Sequence, residues 1–439
     1  MKSTDRAISR RSALFRYLAI VLLLCAFPAL PAHSQELAPV ITVDHGPNAP
    51  SQLGKHYVIL ISFDGFRFDY ARRYHASNVL ALASRGASAP EGMIPSYPSV
   101  TFANHYTLVT GLYPEHHGIV ENEFYDPARH ETYSYKVKSS ETDGSWYGGT
   151  PLWVLAEQQG MRSASFFWPG SEANIQGVLP SYYLKFADHF PNEKRIEQVL
   201  AWLRLPAAQR PHFITLYFSD TDHAGHDFGP DTPQLIAAVH ELDAELGRLM
   251  QGLKAVHLPV DVILVADHGM ARVPPQWVEL DKHGLDVSLL EKFQGILLYP
   301  KSDVDPQHIY DQMQPSPSEY KVYRRADLPE HLHFNENPRA GDPVIVPSGA
   351  YAIHVQDNPN FPHPNPGEHG FDPMLVPEMK AIFVAAGPDI RPAVTVAPFE
   401  NVNVYPLIAK ILGLDTHALK TGPIDGKLSV LQPILKKSH

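Results

Sequence analysis

Tyr57-Val58-Ile59-Leu60-Ile61-Ser62-Phe63 is an almost unbroken apolar run of strand length, and it ends directly in Asp64-Gly65. A strand wetted on one face alternates apolar and polar residues, so a continuous run reads as a strand covered on both faces. Similar runs recur at Ser163 to Phe167, Phe213 to Phe218, Val260 to Ala266 and Ala381 to Ala385. Between them lie helical patterns, clearest from Thr232 to Val256, where Leu235, Val239, Leu242, Leu246, Leu249 and Leu253 recur at helical spacing. Strands alternating with helices predict an α/β fold, a mostly parallel central sheet flanked by helices on both faces. Residues 55–435 show no internal linker or repeat and read as a single domain, with 271–345, rich in Pro and charge, as a peripheral subregion. Residues 35–54, rich in Pro, Gly and Ser, read as a linker ahead of it.

The N-terminus has the three parts of a secretory signal peptide. Lys2, Arg6, Arg10, Arg11 and Arg16 precede the apolar stretch Leu18 to Leu30, and small residues follow, so residues 1–34 are expected to be removed near Ser34. The stretch is short and interrupted by Pro28, which disfavours an uncleaved anchor, and Leu24 before Cys25 argues against a lipoprotein. Ser9-Arg10-Arg11 partly resembles a twin-arginine signal. Cleavage changes the net charge from −11 to about −15 and removes the single cysteine. Disulfides and thiolate metal sites are thereby excluded, and so acidic a protein is not expected to bind nucleic acid non-specifically. A tightly held metal would have to rest on His and carboxylates.

Those residue types fall where ligands bind in open α/β sheets, beyond the carboxyl ends of strands. Three apolar runs end in Ser62-Phe63-Asp64-Gly65, Ser219-Asp220-Thr221-Asp222-His223-Ala224-Gly225-His226 and Ala266-Asp267-His268-Gly269; a fourth cluster is Gly367-Glu368-His369-Gly370-Phe371-Asp372. Asp222 and His226, four apart, share one side of a helical turn. Asp267 and His268 are adjacent and can reach one ion only if the backbone turns, which Gly269 would permit. Asp64, Asp222, His226, Asp267, His268 and His369 are too many donors for one tetrahedral ion and suit two. A hydroxyl nucleophile is available in Pro95-Ser96-Tyr97-Pro98-Ser99-Val100-Thr101-Phe102-Ala103-Asn104-His105-Tyr106, which leads into a helix stopped by Gly111. A helix N-terminus and a metal would each lower its pKa. Ser96, Ser99 and Thr101 all qualify on that ground.

With these pieces in place the chain resembles the nucleotide pyrophosphatase/phosphodiesterase family of the alkaline phosphatase superfamily, in its bacterial type. The resemblance is carried, in family order, by Ile61-Ser62-Phe63-Asp64-Gly65-Phe66-Arg67, Thr101-Phe102-Ala103-Asn104-His105-Tyr106, Gly111 to Asn122, Phe166-Phe167-Trp168-Pro169-Gly170-Ser171, Asp222 to His226, Ala266 to Met270 and Glu368 to Asp372. It implies an alkaline-phosphatase-like fold and a catalytic phosphodiesterase domain. It makes Thr101 the nucleophile and Asn122 a donor to the non-bridging phosphate oxygen. One Zn²⁺ would take Asp222, His226 and His369, and a second would take Asp64, Asp267, His268 and the Thr101 oxygen. Asp220, His223 and His363 are not selected. The nucleotide base would stack between Phe102 and an aromatic beyond Trp168, Phe186 by counting onward, with Tyr183 the alternative.

The implied activity is zinc-dependent hydrolysis of nucleotide pyrophosphate and phosphodiester bonds through a phosphothreonine, releasing nucleoside monophosphates. Two Zn²⁺ roughly 4 Å apart would activate the attacking oxygen and stabilise the leaving group. The rivals are a phosphate monoesterase, sulfatase or phosphonate hydrolase, a lipid-headgroup phosphodiesterase on the same fold, and a non-enzymatic, exported His-rich zinc-binding protein. Superfamily monoesterases that use Thr add a Lys-x-Arg pair roughly where this chain has Phe167-Trp168-Pro169, and a zinc-storage protein leaves Thr101 and Asn122 without a role. The expected partner is a small-molecule substrate, with no specific nucleic-acid binding, no membrane anchor after processing and no protein partner. The expected location is periplasmic or secreted.

Overall fold

The computed structural model describes residues 38–437 apart from 357, 358, 360 and 361. The leader and its cleavage point at Ser34 lie outside the described residues. The central sheet has nine strands: β1 Ile41–Thr42, β2 Tyr57–Phe63, β3 Ala87–Ser88, β4 Ser163–Phe166, β5 Tyr182–Leu184, β6 Phe213–Phe218, β7 Val260–Val265, β8 Phe383–Ala386 and β9 Val394–Thr395, in the spatial order β1-β5-β4-β6-β2-β7-β8-β3-β9. Pairing is parallel from β5 through β4, β6 and β2 to β7, and antiparallel where β8 joins β7 and β3 and where β1 joins β5. Every residue of β2 is buried, as its continuous apolar run requires of a strand with both faces covered.

Thr101–Thr110 forms helix α1, Asp220–Phe228 α2 and Pro233–Val256 α3. In α3 the Thr232 hydroxyl caps the first turn by accepting from the Leu235 amide, and Leu235, Val239, Leu242, Leu246 and Leu249 are buried. Helix α3 packs with α2, Ser77–Arg85 and Asn192–Leu203, while α1 packs with Val404–Leu412, which lies against β2. The fold is therefore α/β, a mostly parallel central sheet with helices packed against it.

Two segments refine the sequence reading. The expected linker is part of the fold: Ile41 and Thr42 pair with Tyr183 and Tyr182, and the buried Asn48 amide donates to the Ala207 and Arg210 carbonyls and accepts from the Arg162 amide. A Pro- and Gly-rich composition says nothing about such long-range hydrogen bonds. Leu290–Gln294, Leu297–Pro300, Tyr320–Tyr323 and Val344–Pro347 build a separate four-stranded sheet over a hydrophobic cluster that includes Leu280, Leu298, Ile309, Tyr320 and Ile345.

Candidate active site

The parallel neighbours β6, β2 and β7 end at one level. Phe63 pairs with Phe218 and Ser62 with Val265, so Asp64, Ser219-Asp220 and Ala266-Asp267 emerge together from one edge of the sheet. Helix α2 begins at Asp220 and sets Asp222 and His226 one turn apart. The His226 Nε2 lies 3.4 Å from Asp222 Oδ1, and the Nε2 of His369, from the long loop before β8, lies 3.7 Å from the same oxygen. Alongside, the His268 Nε2 lies 3.6 Å from Asp64 Oδ1 and 3.0 Å from Asp267 Oδ2. The His268 and His369 rings stack at 3.7 Å and join the two groups; Asp222 is within ligand reach of both. All six expected ligands thus converge.

Each imidazole is oriented the same way. The Nδ1 atoms of His226, His268 and His369 lie 2.9 Å from the carbonyls of Gly367, Gly269 and Ser99. A carbonyl only accepts, so Nδ1 carries the hydrogen and Nε2 turns a bare lone pair into the cluster. The carboxylates follow suit: Tyr217 donates its hydroxyl to Asp64 Oδ2 at 2.6 Å and the Gly65 amide donates to Asp267 Oδ1 at 3.2 Å. Their other oxygens, with Oδ1 of Asp222, are buried without a hydrogen-bond partner. Around Asp64 and Asp222 lone pair therefore faces lone pair, an arrangement that costs free energy in a dry site and that cations resolve. At Asp267 the facing His268 supplies part of the answer, since burial lowers the His268 pKa but Asp267 outweighs it and raises it. Donors of nitrogen and oxygen only, three imidazoles and three carboxylates, fit divalent ions of the zinc type.

The electrostatics agree. Burial, then the charges of Asp267 and Asp222, push the Asp64 carboxyl well above its usual range. Burial also raises Asp267, but His268 and His105 outweigh it and hold that carboxyl well below. Burial and the neighbouring His268 and His226 hold His369 far below the ordinary imidazole value, so it is neutral and available as a ligand. Gly269 contributes differently from expectation: its backbone is not left-handed, and a Cβ there would lie 2.0 Å from the Glu378 carbonyl. It is needed for close approach rather than for turning.

Among the three hydroxyls, two are committed elsewhere. Ser96 donates to Asn401 Oδ1, and Ser99 donates to the Phe371 carbonyl while accepting from the Gly370 amide. Thr101, the first residue of α1, places Oγ1 3.3 Å from His268 Nε2. Beside it the Phe102 amide donates to Asn122 Oδ1 at 2.8 Å, which fixes the side-chain amide with its NH₂ end unspent. Asn122 and Thr101 share the wall of a cavity of about 600 Å³. His105, which the sequence reading left without a role, is fully buried one turn along α1; its Nδ1 meets the Thr101 carbonyl at 2.9 Å and lies 3.3 Å from Asp267 Oδ2. Its spacing of four from Thr101 was the available signal.

The cavity also places the aromatics. Phe102 and Phe186 both line it, and Phe186 is half exposed rather than packed in the core. Trp168, buried, lines it too and donates to the His105 carbonyl at 3.1 Å. Phe167 beside it holds a left-handed φ of 64°, an outlier for so bulky a residue, where the chain leaves β4. Tyr183 does not line the cavity: it sits in β5 between Ile41 and Ser165, because strand pairing there turns its neighbours toward the sheet. Tyr135, 5.2 Å from Phe102 and 40% exposed, is the aromatic that motif matching missed. Asp220 turns aside to accept from Asn192, and His223 is half exposed, so neither joins the cluster.

Known proteins match in the same terms. The profile of a family described as type I phosphodiesterase / nucleotide pyrophosphatase matches residues 58–372. An uncharacterized pyrophosphatase/phosphodiesterase of Schizosaccharomyces pombe is 35% identical over 394 residues, 84% of this chain and 79% of that protein. A venom phosphodiesterase of Macrovipera lebetinus is 36% identical, with 88% of this chain and 46% of that one covered, and human ectonucleotide pyrophosphatase/phosphodiesterase family member 1 is 34% identical, with 84% and 41% covered. The chain thus spans less than half the length of those two relatives. Murine ectonucleotide pyrophosphatase/phosphodiesterase 5, solved as an inactive threonine-to-alanine form in complex with AMP, superposes with a TM-score of 0.80 at 28% identity, covering 87% of this chain and all of that one. Sequence profile, fold and converging site agree that the chain belongs to the type I phosphodiesterase/nucleotide pyrophosphatase family and is a hydrolase of phosphodiester and pyrophosphate bonds.

Proposed function

We propose that the protein hydrolyses nucleotide pyrophosphate and phosphodiester bonds with two Zn²⁺ and a covalent phosphothreonine at Thr101, releasing nucleoside monophosphates. The observation that carries this reading is the place of the Thr101 hydroxyl: at a helix N-terminus, 3.3 Å from His268 Nε2, between the ligand cluster and the aromatic cavity. Asp222, His226 and His369 would hold one ion, and Asp64, Asp267 and His268 the other. Bound there, the ions would neutralise phosphoryl oxygens, lower the hydroxyl pKa and stabilise the departing oxygen.

The chain's own groups do the rest. Phe102 and Phe186 flank a base so that its phosphate lies against Thr101. As the Oγ–P bond forms, the bond from phosphorus to the leaving oxygen breaks and that oxygen departs with the electron pair; the hydroxyl proton passes to water. Water then forms the second P–O bond and Oγ leaves, to be reprotonated. The unspent NH₂ of Asn122 donates to an oxygen whose charge grows in each transition state. Phe167 and Trp168 stand where superfamily monoesterases that use Thr carry a Lys-x-Arg pair, which supports the diester reading, although Lys136, Lys138 and Lys185 also line the cavity.

Thr101→Ala, assayed with a p-nitrophenyl nucleotide ester, should abolish turnover while zinc content stays at two per chain, and acid-quenched wild type should carry a nucleotidyl adduct on Thr101. Turnover by the alanine variant would overturn the reading. We also infer export to the periplasm or medium. Relatives include venom and ectoenzyme proteins, and among the described residues no helix is long and apolar enough to cross a membrane. Cell fractionation with N-terminal sequencing tests this.

A further inference from the structure

A second cavity, of about 420 Å³, is lined by His226 and His369 and meets the aromatic one at Asn122. Among the described residues, only Asn122, Tyr135 and Lys136 line both. In an in-line displacement the two arms of a diester point different ways. With the nucleoside in the first cavity, the departing arm passes the Asp222, His226 and His369 group into the second.

The chemistry of that cavity is unusual for a polyphosphate. Among the described residues three carboxyl groups line it, those of Glu121 and Glu123 flanking Asn122, and that of Glu368 preceding His369. Burial pushes Glu121 up to about 7 and raises Glu368, which leaves Glu123, paired with Lys136, as the one the selection turns on. Its one lysine, Lys136, is already held by Glu123 at 2.8 Å. The remaining wall includes rings, Phe371 from the loop before β8, Tyr351, and Trp277 stacked on His354 at 3.3 Å, among aliphatic and backbone surface. A free pyrophosphate group would meet Glu123 and acidic neighbours with no lysine left uncommitted in the described wall, whereas a ring or a cation meets aromatic faces and a carboxylate that attract it.

We propose that this second cavity is the leaving-group subsite and that it selects departing groups carrying no negative charge, ring-bearing or cationic, over pyrophosphate. Glu123 and Trp277 are its specificity-determining residues. The proposal rests on the hydrolytic reading above and adds the class of bond the enzyme prefers.

The test holds the nucleoside constant and varies what leaves: ATP, the phenyl ester of AMP and the choline ester of AMP, with kcat/KM measured on the zinc-loaded enzyme. Intrinsic reactivity cancels because each variant is compared with wild type on the same substrate. Glu123→Gln, which removes a carboxylate and frees Lys136 on an exposed hairpin, should raise kcat/KM for ATP by about three- to tenfold. It should leave the phenyl ester within about twofold and lower the choline ester by a similar small factor. Trp277→Ala should lower the phenyl and choline esters by about tenfold and leave ATP within about twofold. Equal changes across all three substrates, or none, would overturn the subsite. Failure of wild type to turn over any of them would overturn the hydrolytic reading instead.

Discussion

Strands β2 and β7 carry acid and imidazole at both ends, and the two ends handle them oppositely. At the amino end His56 precedes β2, Asp261 is the second residue of β7 and Asp389 follows β8. There the His56 Nδ1 turns to Asp389 Oδ2, the Asp389 amide donates to Asp261 Oδ1, and burial together with Asp389 pushes the Asp261 carboxyl up to about 8, so it holds its own proton at neutral pH. At the carboxyl end every Nδ1 is tied to a carbonyl and every Nε2 and spare carboxylate oxygen faces inward. Ligand-like residue types occur at both, and both leave buried carboxylate oxygen unpaired, Oδ2 of Asp261 at the first and one oxygen each of Asp64, Asp222 and Asp267 at the second. Only the second adds three imidazoles whose Nδ1 atoms are tied to carbonyls, so that Nε2 faces those oxygens. Orientation by the surrounding hydrogen bonds, not composition, separates a metal centre from a compensated acidic cluster.

The largest effect that sharpens this contrast is metal removal. Chelation should abolish turnover and lower the melting temperature, since an ion at a hundredfold excess over its Kd stabilises the fold by about 2.7 kcal/mol, and added zinc should restore both. Asp389→Asn should show the same dependence as wild type. Persistence of activity after exhaustive chelation would break the comparison at its root.

Next comes Asp64→Asn. It should cut kcat/KM by on the order of a thousandfold by spoiling a ligand, yet the metal-free variant should unfold at higher denaturant than metal-free wild type. One of three crowded carboxylates has gone, and with it the burial and repulsion that push the Asp64 carboxyl up. A destabilised metal-free variant would mean that the site is not held under electrostatic strain.

How far the sequence carries this picture depends on whether a feature is local. The run ending at Asp64, the i,i+4 pair Asp222 and His226, and the helix starting at Thr101 are periodicities of one segment, and the chain displays them directly. Choosing Thr101 over Ser96 and Ser99 needed either family resemblance or the structure, because what disqualifies the serines is bonding to Asn401 and Phe371, hundreds of residues away. Tyr135 and the Trp277 wall were illegible for the same reason, and so was Asn48, whose partners lie beyond residue 160.

Smaller in effect is Asn122→Ala, which leaves the ligands intact. Loss of a transition-state donor should lower kcat by about a hundred- to a thousandfold, or 2.7–4 kcal/mol, with zinc content unchanged. An equal fall in zinc content would assign Asn122 to the metal site instead. At the other end of the sheet, Asp389→Asn should lower stability by roughly 0.2–1 kcal/mol, the range for a partly exposed pair, and leave kcat/KM alone.

The finest test asks whether an imidazole committed to an internal carboxylate answers to protons rather than to metal. His116 is such a group: its hydrogen bond to Asp425 is the main force raising its pKa to about 9. Because the folded value exceeds the unfolded one, the folded protein binds the extra proton. The pair's contribution is complete below about pH 6.5 and disappears as pH climbs through about 9. His116→Ala should therefore flatten the fall in melting temperature between those values and leave zinc content and kcat/KM at neutral pH unchanged. His369→Ala should do the reverse, losing zinc with no change in that slope, because burial already keeps its ring neutral across the whole window. Matching pH profiles for the two variants would erase the distinction between a histidine that serves stability and one that waits for a cation.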